Sequence, residues 1–166
     1  MRILAIDPGN EESAYVLVET PSLKVIEFGK QKNKNIQSYI HLLAFDEVAI
    51  EMVACYGMPV GQTVFDTCRW IGRYEEYFIS ERRIKPQLIY RRDEKLNLCG
   101  TARAKDSNII QALVDRFAPH DTNKGKGTKK NPGWFYGFSK DVWQAYAIAV
   151  TYYDLYLKED TNDRKK

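Results

Sequence analysis

Residues 1–10, Met-Arg-Ile-Leu-Ala-Ile-Asp-Pro-Gly-Asn, combine a short apolar run with an acid and a turn signal. The apolar run predicts a buried strand at residues 1–6, and Asp7 follows it directly in a Pro-Gly-Asn turn. Two further segments with alternating apolar residues, 13–19 and 23–29, predict two more strands. Because only short turns separate the three segments, we expect them to pair as an antiparallel meander.

Helical and strand patterns alternate in the rest of the chain. They predict, in order, a helix at 35–43, a strand at 47–51, a long helix at 59–82, a strand at 87–90, a turn or short helix at 91–98, a helix at 104–117, a loop at 119–137 and a final helix at 140–157. Strands that follow a helical crossover join a sheet in parallel. We therefore predict an α/β fold, in which helices flank a mixed five-stranded sheet made of the antiparallel meander plus parallel strands.

The composition is that of one globular domain: 166 residues, of which 44% are hydrophobic and 28% charged. We assign residues 1–157 to this domain and expect the polar residues 158–166 to form a flexible tail. There is no apolar run long enough for a membrane span and no signal-like segment, so we expect a cytoplasmic protein without a membrane partner. Cys55, Cys68 and Cys99 are too widely spaced to indicate a disulfide framework or a zinc site.

Three carboxylates stand at informative positions in this pattern. Asp7 ends the first predicted strand, Glu51 ends the fourth, and Asp141 begins the last helix. Ser139 is the predicted N-cap of that helix. Ligands of open α/β sheets bind beyond the carboxyl ends of strands, so parallel first and fourth strands would bring Asp7 and Glu51 together. Each acid alone also has an ordinary explanation, as a turn residue, a solvated strand end or a partner of the helix dipole.

Clustered carboxylates of this kind suit the hydrolysis of a phosphodiester bond. The reaction needs a nucleophilic water and a neutralised leaving oxygen, which two divalent cations roughly 3.5–4 Å apart supply. Hard cations such as Mg²⁺ prefer oxygen ligands, and acids that repel one another become favourable neighbours once a cation is bound. The three acids together therefore predict a Mg²⁺ site that holds two ions, with Mn²⁺ as a substitute.

Three segments of the sequence resemble the RuvC family of Holliday junction resolvases, and in particular its shorter phage and prophage members. They are residues 3–10 (Ile-Leu-Ala-Ile-Asp-Pro-Gly-Asn), 49–52 (Ala-Ile-Glu-Met) and 141–151 (Asp-Val-Trp-Gln-Ala-Tyr-Ala-Ile-Ala-Val-Thr). The resemblance covers nearly the whole chain. It implies a ribonuclease H-like fold, a homodimer and Mg²⁺-dependent nicking of four-way DNA junctions. That activity is the one of a crossover junction endodeoxyribonuclease, working in the cytoplasm of a bacterial host.

The resemblance also implies roles for individual residues. Asp7, Glu51 and Asp141 match the family's metal ligands. Lys105 matches a lysine that lies near the scissile backbone, which makes it a further catalytic candidate. Lys95 is a weaker match to another basic position, and a surface lysine at the start of a helix is the plain alternative for Lys105.

The last helix departs from the family pattern, because Asp-x-x-Asp is replaced by Asp141 with Gln144 at the fourth position. Residues three apart share one helix face, so Gln144 is expected beside the metals, where its carbonyl oxygen offers a ligand without adding charge. Three outcomes stay open: the three acids suffice, another acid substitutes, or activity is reduced. Our hypothesis is that Asp7, Glu51 and Asp141 suffice.

Basic residues are expected to track the DNA backbone, since phosphate contacts set position rather than sequence. Residues 119–137 carry a cluster of lysines, for which a solvated flexible loop is the plain alternative. Tyr56, Phe65 and Trp134 are aromatic candidates for stacking at an opened junction. The residues predicted to bind DNA are Gln62, Arg69, Arg103, Lys105, Lys124, Lys126, Lys129 and Lys130.

The predicted helix at 59–82 carries two apolar stripes. The second stripe, which consists of Trp70, Tyr74 and Tyr77, is either a dimer interface or a second buried face. A two-fold dimer would match the approximate two-fold symmetry of a four-way junction, because it presents two active sites about one axis.

Two other functions remain open at this point. A branched-DNA-binding protein with weak or no nuclease activity would use the same surface, and Gln144 favours it. A phosphoryl-transfer enzyme of the actin-like type also ends its first strand in Asp-x-Gly, but 166 residues are too few for its two halves. Within the nuclease hypothesis, other branched DNA such as flaps and forks stays open as a substrate.

Overall fold

A computed structural model describes residues 1–158 as a central sheet with helices on both of its faces. The strands are β1 (Arg2–Asp7), β2 (Glu12–Glu19), β3 (Lys24–Lys32), β4 (Glu47–Met52) and β5 (Gln87–Tyr90). The helices are α1 (Asn33–Ile40), α2 (Gln62–Arg82), α3 (Arg91–Cys99), α4 (Asp106–Phe117) and α5 (Lys140–Tyr152), and a π-helical turn, Tyr153–Leu157, continues α5. The predicted tail lies outside the described residues except for Lys158.

The strands are arranged in the order β3-β2-β1-β4-β5. β1, β2 and β3 pair antiparallel, because only short turns connect them. β4 pairs in parallel with β1, and β5 in parallel with β4, after crossovers that contain α1 and α2. The predicted α/β class and the mixed five-stranded sheet are confirmed, and β1 lies at the centre of the sheet.

Residues 91–98 were expected to form a turn or short helix, and the short helix is observed as α3. Two other element boundaries differ from the prediction in ways that bear on function. α2 begins later than predicted, because Gly61 before it keeps an extended backbone, and residues 53–61 form a loop. The final helix is not continuous, since it changes to the π-helical turn at Tyr153. Within the described part of the chain, no helix is long and apolar enough to cross a membrane.

Alternating strand residues build two apolar cores, one on each face of the sheet. Ile3 and Ala5 of β1 belong to the core that α4 and α5 cover, together with Phe135. Leu4 and Ile6 of β1 belong to the opposite core, which α1 and α2 cover. Because β1 is buried on both faces, its carboxyl end is held firmly at the edge where the loops converge.

Tyr74 of α2 belongs to the core, so for this residue the structure selects the buried face over the interface, the two alternatives left open for the second aromatic stripe. Its side chain is fully buried, and its hydroxyl group lies 3.1 Å from both Ser13 Oγ and Asn33 Oδ1. Trp70 and Tyr77 are only half-buried. Apolar residues at the border of a buried helix face recur at the same helical spacing whether their side chains are buried or exposed. The sequence pattern therefore could not distinguish the buried Tyr74 from the half-buried Trp70 and Tyr77.

Candidate active site

Asp7 and Glu51 end neighbouring parallel strands and come together at the carboxyl edge of the sheet. Ile6 is paired with Ile50, so the next residues of β1 and β4 lie side by side. Burial, followed by the charge of Glu51 and a hydrogen bond with it, raises the pKa of Asp7 to about 9. Asp141 and Glu94 add to this shift. Asp7 thus keeps its proton at neutral pH unless a cation binds beside it.

Asp141 lies in the first turn of α5, where its carboxylate is only partly buried. Ser139 occupies the N-cap position as predicted, but its side chain makes no capping hydrogen bond. The carboxylate of Asp141 lies 2.8 Å from Lys30 Nζ, which also lies 3.1 Å from the carboxylate of Glu12. These two bonds raise the pKa of Lys30, despite a small opposing effect of burial.

Lys30 reaches the site because of the register of the meander. Asp7 is paired with Ala14, and Ala14 with Lys30, so the three residues form a row across β1, β2 and β3. A cavity of about 350 Å³ opens between this row and α5, and Asp7, Lys30 and Asp141 line it together with residues 8–12. The space beside Asp7 is therefore open and polar.

A hydrogen-bonded cluster holds the turn that follows Asp7. Asn33 Nδ2 donates to the carbonyl oxygen of Gly9 at 2.8 Å, and Ser13 Oγ donates to Asn33 Oδ1 at 2.6 Å. Tyr74 completes the cluster from α2, which covers this end of the sheet. At Gly9, a Cβ atom would lie 2.4 Å from the carbonyl oxygen of Glu12, so the turn has room for glycine alone. These contacts fix the backbone from which the Asp7 side chain extends.

α3 brings a fourth acid to the same edge. Glu94 is fully buried, one helical turn beyond the end of β5, and Arg91 Nη1 lies 2.7 Å from Glu94 Oε2. Burial and the charge of Glu51 raise the pKa of Glu94 well above its usual value, although Arg91 opposes the shift. Asp7, Glu51 and Glu94 therefore act on one another electrostatically.

Arg91 links α3 to the two helices beside it. Besides Glu94, its guanidinium donates to the side-chain oxygen of Gln144 on α5 and, at 2.7 Å, to Asp106 Oδ1 at the start of α4. The structure therefore places Gln144 next to Arg91. These three partners engage the side chain of Arg91.

Several features of this edge bear on how it could hold a cation. Within residues 1–158, no three Asp, Glu, His or Cys side chains are grouped closely enough to hold a metal. Asp141 faces Lys30, so a cation beside Asp7 would have to compete with that lysine for it. The donors that converge on the edge are carboxylate oxygens without histidine, which fits a hard cation such as Mg²⁺.

Four of the residues predicted to bind DNA lie on α2 or just before α4. Lys105 and Arg103 are exposed just before α4, and the backbone N–H of Lys105 donates to Asn108 Oδ1 at 2.8 Å. Lys105 precedes Asp106, the partner of Arg91, so it lies on the rim of the acidic edge. Gln62 and Arg69 are exposed on α2, and both side chains contact Asp66, at 3.2 and 3.5 Å.

The lysine-rich residues 119–137 form a folded loop. Phe135 is fully buried, and its backbone N–H donates to the carbonyl oxygen of Gly125 at 2.9 Å. The N–H of Gly133 likewise donates to the carbonyl oxygen of Lys126 at 3.0 Å. This backbone presents Lys124, Lys129 and Lys130 to solvent, while Lys126 is half-buried.

Trp134 packs inside this loop, which corrects its interpretation as a base-stacking residue. Its ring stacks on Phe117 with centroids 5.6 Å apart, and its indole N–H donates to the hydroxyl group of Tyr146 at 3.1 Å. Tyr56 and Phe65, in contrast, are 60% and 54% exposed, and Tyr56 lines a cavity together with Glu51. Residues 53–65 therefore carry two exposed aromatic side chains.

Sequence reasoning missed two charged residues of the site, Lys30 and Glu94. Lys30 had no local signal, because its position depends on the register of β2 and β3, which a β-bulge at Leu17 and Val18 shifts. Glu94 had a weak signal, the Arg91–Glu94 spacing of three residues directly after a predicted strand. That spacing usually marks an exposed helix face, so burial of Glu94 could not be inferred.

Comparison with known proteins identifies the fold. No protein-family model and no curated protein matches the sequence. A structure of Thermus thermophilus RuvC is similar, with 17% identity, a TM-score of 0.67 and coverage of 97% of this chain and 98% of that chain. Thermus thermophilus RuvC in complex with a Holliday junction substrate shows 15% identity, a TM-score of 0.69 and 97% coverage of both chains. The resolvase of fowlpox virus, in complex with Holliday junction DNA, shows 14% identity, a TM-score of 0.57 and coverage of 92% and 98%. The fold is therefore that of the ribonuclease H-like, RuvC-type resolvases.

Proposed function

We propose that this protein is a structure-specific DNA endonuclease that resolves four-way junctions with the help of Mg²⁺. The observation that carries the proposal is the convergence of Asp7, Glu51 and Asp141 at the carboxyl edge of a RuvC-type fold. These acids come from β1, β4 and α5, which are far apart in sequence. Such convergence of buried and half-buried acids is costly for stability and is typical of functional sites.

The acids would hold two divalent cations, which supply an activated water and neutralise the leaving oxygen. Asp7 is central in this arrangement, because it lies between Glu51 on the neighbouring strand and the cavity that Asp141 lines. The cluster of Ser13, Asn33 and Tyr74 keeps the Asp7 turn in place. Mn²⁺ has the same preference for oxygen ligands and would substitute for Mg²⁺.

DNA would lie across this edge of the molecule. Lys105, exposed just before α4, would contact the phosphate next to the scissile bond, with Arg103 beside it. Gln62 and Arg69 of α2 extend the surface on the other side of Glu51. Lysines of the 119–137 loop would add contacts that do not depend on base sequence. Exposed Tyr56 and Phe65 lie where an unpaired base could stack beside the site.

A homodimer would supply the second active site for two symmetric nicks, since a four-way junction has approximate two-fold symmetry. Trp70 and Tyr77 are the half-buried aromatic residues of α2 that remain available for such an interface. On the sequence resemblance to phage and prophage members of the RuvC family, we place the activity in the cytoplasm of a bacterial host.

One alternative has a specific observation in its favour. Gln144 brings no charge, and its side-chain oxygen is bonded to Arg91. A protein that binds branched DNA but cleaves it weakly or not at all would tolerate this arrangement, because a missing carboxylate lowers cation affinity more than DNA affinity.

A cleavage panel separates these functions. Wild-type protein is incubated with four-way, three-way, flap and duplex DNA in Mg²⁺, in Mn²⁺ and in EDTA, and the products are mapped on denaturing gels. We expect paired nicks at symmetric positions in the four-way junction, with either cation and not in EDTA. Tight junction binding without nicking in either cation would support the alternative instead. Equal cleavage of duplex DNA would contradict structure specificity.

A further inference from the structure

The carboxylate of Glu94 is buried but only half satisfied. Its side chain is 0% exposed, and Oε2 accepts a hydrogen bond from Arg91 at 2.7 Å. Oε1 is also buried, and it has no hydrogen-bond partner among residues 1–158. Nearly all buried polar atoms of proteins have a hydrogen-bond partner. A buried carboxylate oxygen without a partner loses its hydration and gains no interaction in return, which costs free energy. The missing partner of Glu94 Oε1 points to a bound ligand at this place.

Glu94 lies at the edge where the other acids converge. β5 runs parallel to β4, with Ile89 opposite Glu51, and α3 begins directly after β5. One helical turn later, Glu94 therefore lies beside the carboxyl end of β4. β1, which ends in Asp7, pairs with the other side of β4. The buried carboxylate thus joins the same edge as Asp7 and Glu51, from a third element.

Arg91 connects Glu94 with the position where the last helix lacks an acid. Its Nη1 atom donates both to Glu94 Oε2 and to the side-chain oxygen of Gln144. Gln144 follows Asp141 by three residues, on the face where a second acid of α5 would stand. Glu94 of α3 and Gln144 of α5 therefore contact the same guanidinium, that of Arg91, and Glu94 is the one that carries a carboxylate.

We propose that Glu94 is the fourth acid of the metal site and binds a divalent cation through Oε1, together with Asp7 and Glu51. Arg91 acts as a positioning residue, because it holds Oε2 and leaves Oε1 to the cation. Gln144 accepts a hydrogen bond from Arg91 and helps to hold it in place, and as a neutral side chain it does not compete with Glu94 for the charge of Arg91. This assignment rests on the proposed nuclease function, and it selects the second of the open outcomes, in which another acid substitutes for the missing one.

The test is a titration of the metal-free protein with Mn²⁺ in the absence of DNA, followed by the electron paramagnetic resonance signal of free Mn²⁺. Glu94→Gln keeps the volume and an oxygen for Arg91 but removes the charge. We expect Mn²⁺ affinity to fall by about tenfold or more, or one equivalent of bound Mn²⁺ to be lost. Glu47→Gln is the matched control, because Glu47 lies at the opposite end of β4 and accepts from Tyr152 at 2.9 Å. It should bind Mn²⁺ like wild type.

A second pair of variants separates metal binding from a structural role. Glu94→Asp keeps the charge but withdraws it by one methylene, so Mn²⁺ affinity should fall while the far-ultraviolet circular dichroism is unchanged. Adding Gln144→Asp to Glu94→Gln places a carboxylate on the other side of Arg91 and should restore part of the affinity. Absence of any restoration would contradict the idea that the two positions serve one cation.

Asp7→Asn distinguishes failure of this assignment from failure of the proposed function. If Asp7→Asn loses Mn²⁺ binding but both Glu94 variants bind like wild type, Glu94 is only a buried partner of Arg91 and the nuclease proposal stands. If neither Asp7→Asn nor the Glu94 variants change Mn²⁺ binding, the metal site itself is wrong and both proposals fall.

Discussion

The carboxylates near the two ends of the last helical segment, which runs from α5 into the π-helical turn, differ in the hydrogen-bond donors that surround them. At the far end, in the π-helical turn, Asp154 accepts two hydrogen bonds from Arg116, at 2.6 and 2.9 Å, and one from Asn97 at 3.1 Å. At the near end, Asp141 faces one partly exposed lysine, and the buried Oε1 of Glu94 has no partner within residues 1–158. Asp154 therefore belongs to an ion pair with Arg116 rather than to the acidic edge.

The pKa directions express this difference. Burial alone would raise the pKa of Asp154, but the hydrogen bonds from Arg116 and Asn97 hold it below its usual value. Burial also raises the pKa of Asp7, and there the neighbouring acids raise it further. Both carboxylates are buried to a large degree, so the donors around them decide the sign. At the far end, the donors stabilise the charged form of Asp154. At the near end, the acids raise the pKa of Asp7, and a bound cation would relieve their mutual repulsion.

The largest effect is expected on removing a charge at the near end. Glu51→Gln should lower the rate of junction cleavage by at least about 100-fold, beyond the effect of typical outer-shell changes at metal sites. Junction affinity should stay within about threefold, because Glu51 contributes no positive charge to DNA binding. Single-turnover cleavage and a gel-shift titration in Ca²⁺ measure the two quantities. Parallel losses of cleavage and binding would place Glu51 in DNA binding instead.

Removing a charge at the near end should also stabilise the metal-free protein. The folded-state pKa of Asp7 lies above its unfolded value, so its ionisation opposes folding as pH rises from about 4 and does so fully above about 9. Asp7→Asn should therefore have little effect on urea unfolding at pH 4 and raise the free energy of unfolding by roughly 2 kcal/mol or more at pH 9. Mg²⁺ should stabilise wild type and not the variant. Destabilisation by Asp7→Asn at pH 9 would contradict the mutual repulsion of these acids.

The far end should behave in the opposite way. Asp154→Asn should lower the free energy of unfolding by about 1–2 kcal/mol at pH 7, because it weakens a charge-assisted pair with Arg116. The folded pKa of Asp154 is lowered, so this stabilisation is present above about pH 4 and is lost as pH falls further. Asp115→Asn is the control, since Asp115 is an exposed acid of α4. Equal effects of the two substitutions would remove the contrast between the ends.

The smallest effect is expected at Lys30, a partly exposed lysine whose Nζ lies 2.8 Å from the carboxylate of Asp141. Lys30→Met should change the free energy of unfolding by no more than about 0.5 kcal/mol, as for most surface positions. Its Mn²⁺ affinity should equal or exceed that of wild type, because the lysine competes with the cation for Asp141. A loss of Mn²⁺ binding in calorimetry would mean that Lys30 supports the site rather than competing for it.

The sequence predicted the parts of the site that depend on strand ends and missed the parts that depend on packing. Asp7 and Glu51 were predictable, because apolar runs locate the strands and the ends of parallel strands coincide. Glu94 was not, because α3 has little apolar periodicity, and the side chain is buried where α3 packs against α4 and α5. Tyr74 was left open between core and interface for the same reason: both positions share one helical spacing.

The most direct measurement is the Mg²⁺-dependent cleavage of a four-way junction by wild type and Asp7→Asn, with junction binding measured in parallel. We expect Asp7→Asn to bind the junction as wild type does and to cut it at least about 100-fold more slowly. Cleavage by Asp7→Asn at the wild-type rate would contradict the claim that the acids at the carboxyl edge of the sheet hold the catalytic cations.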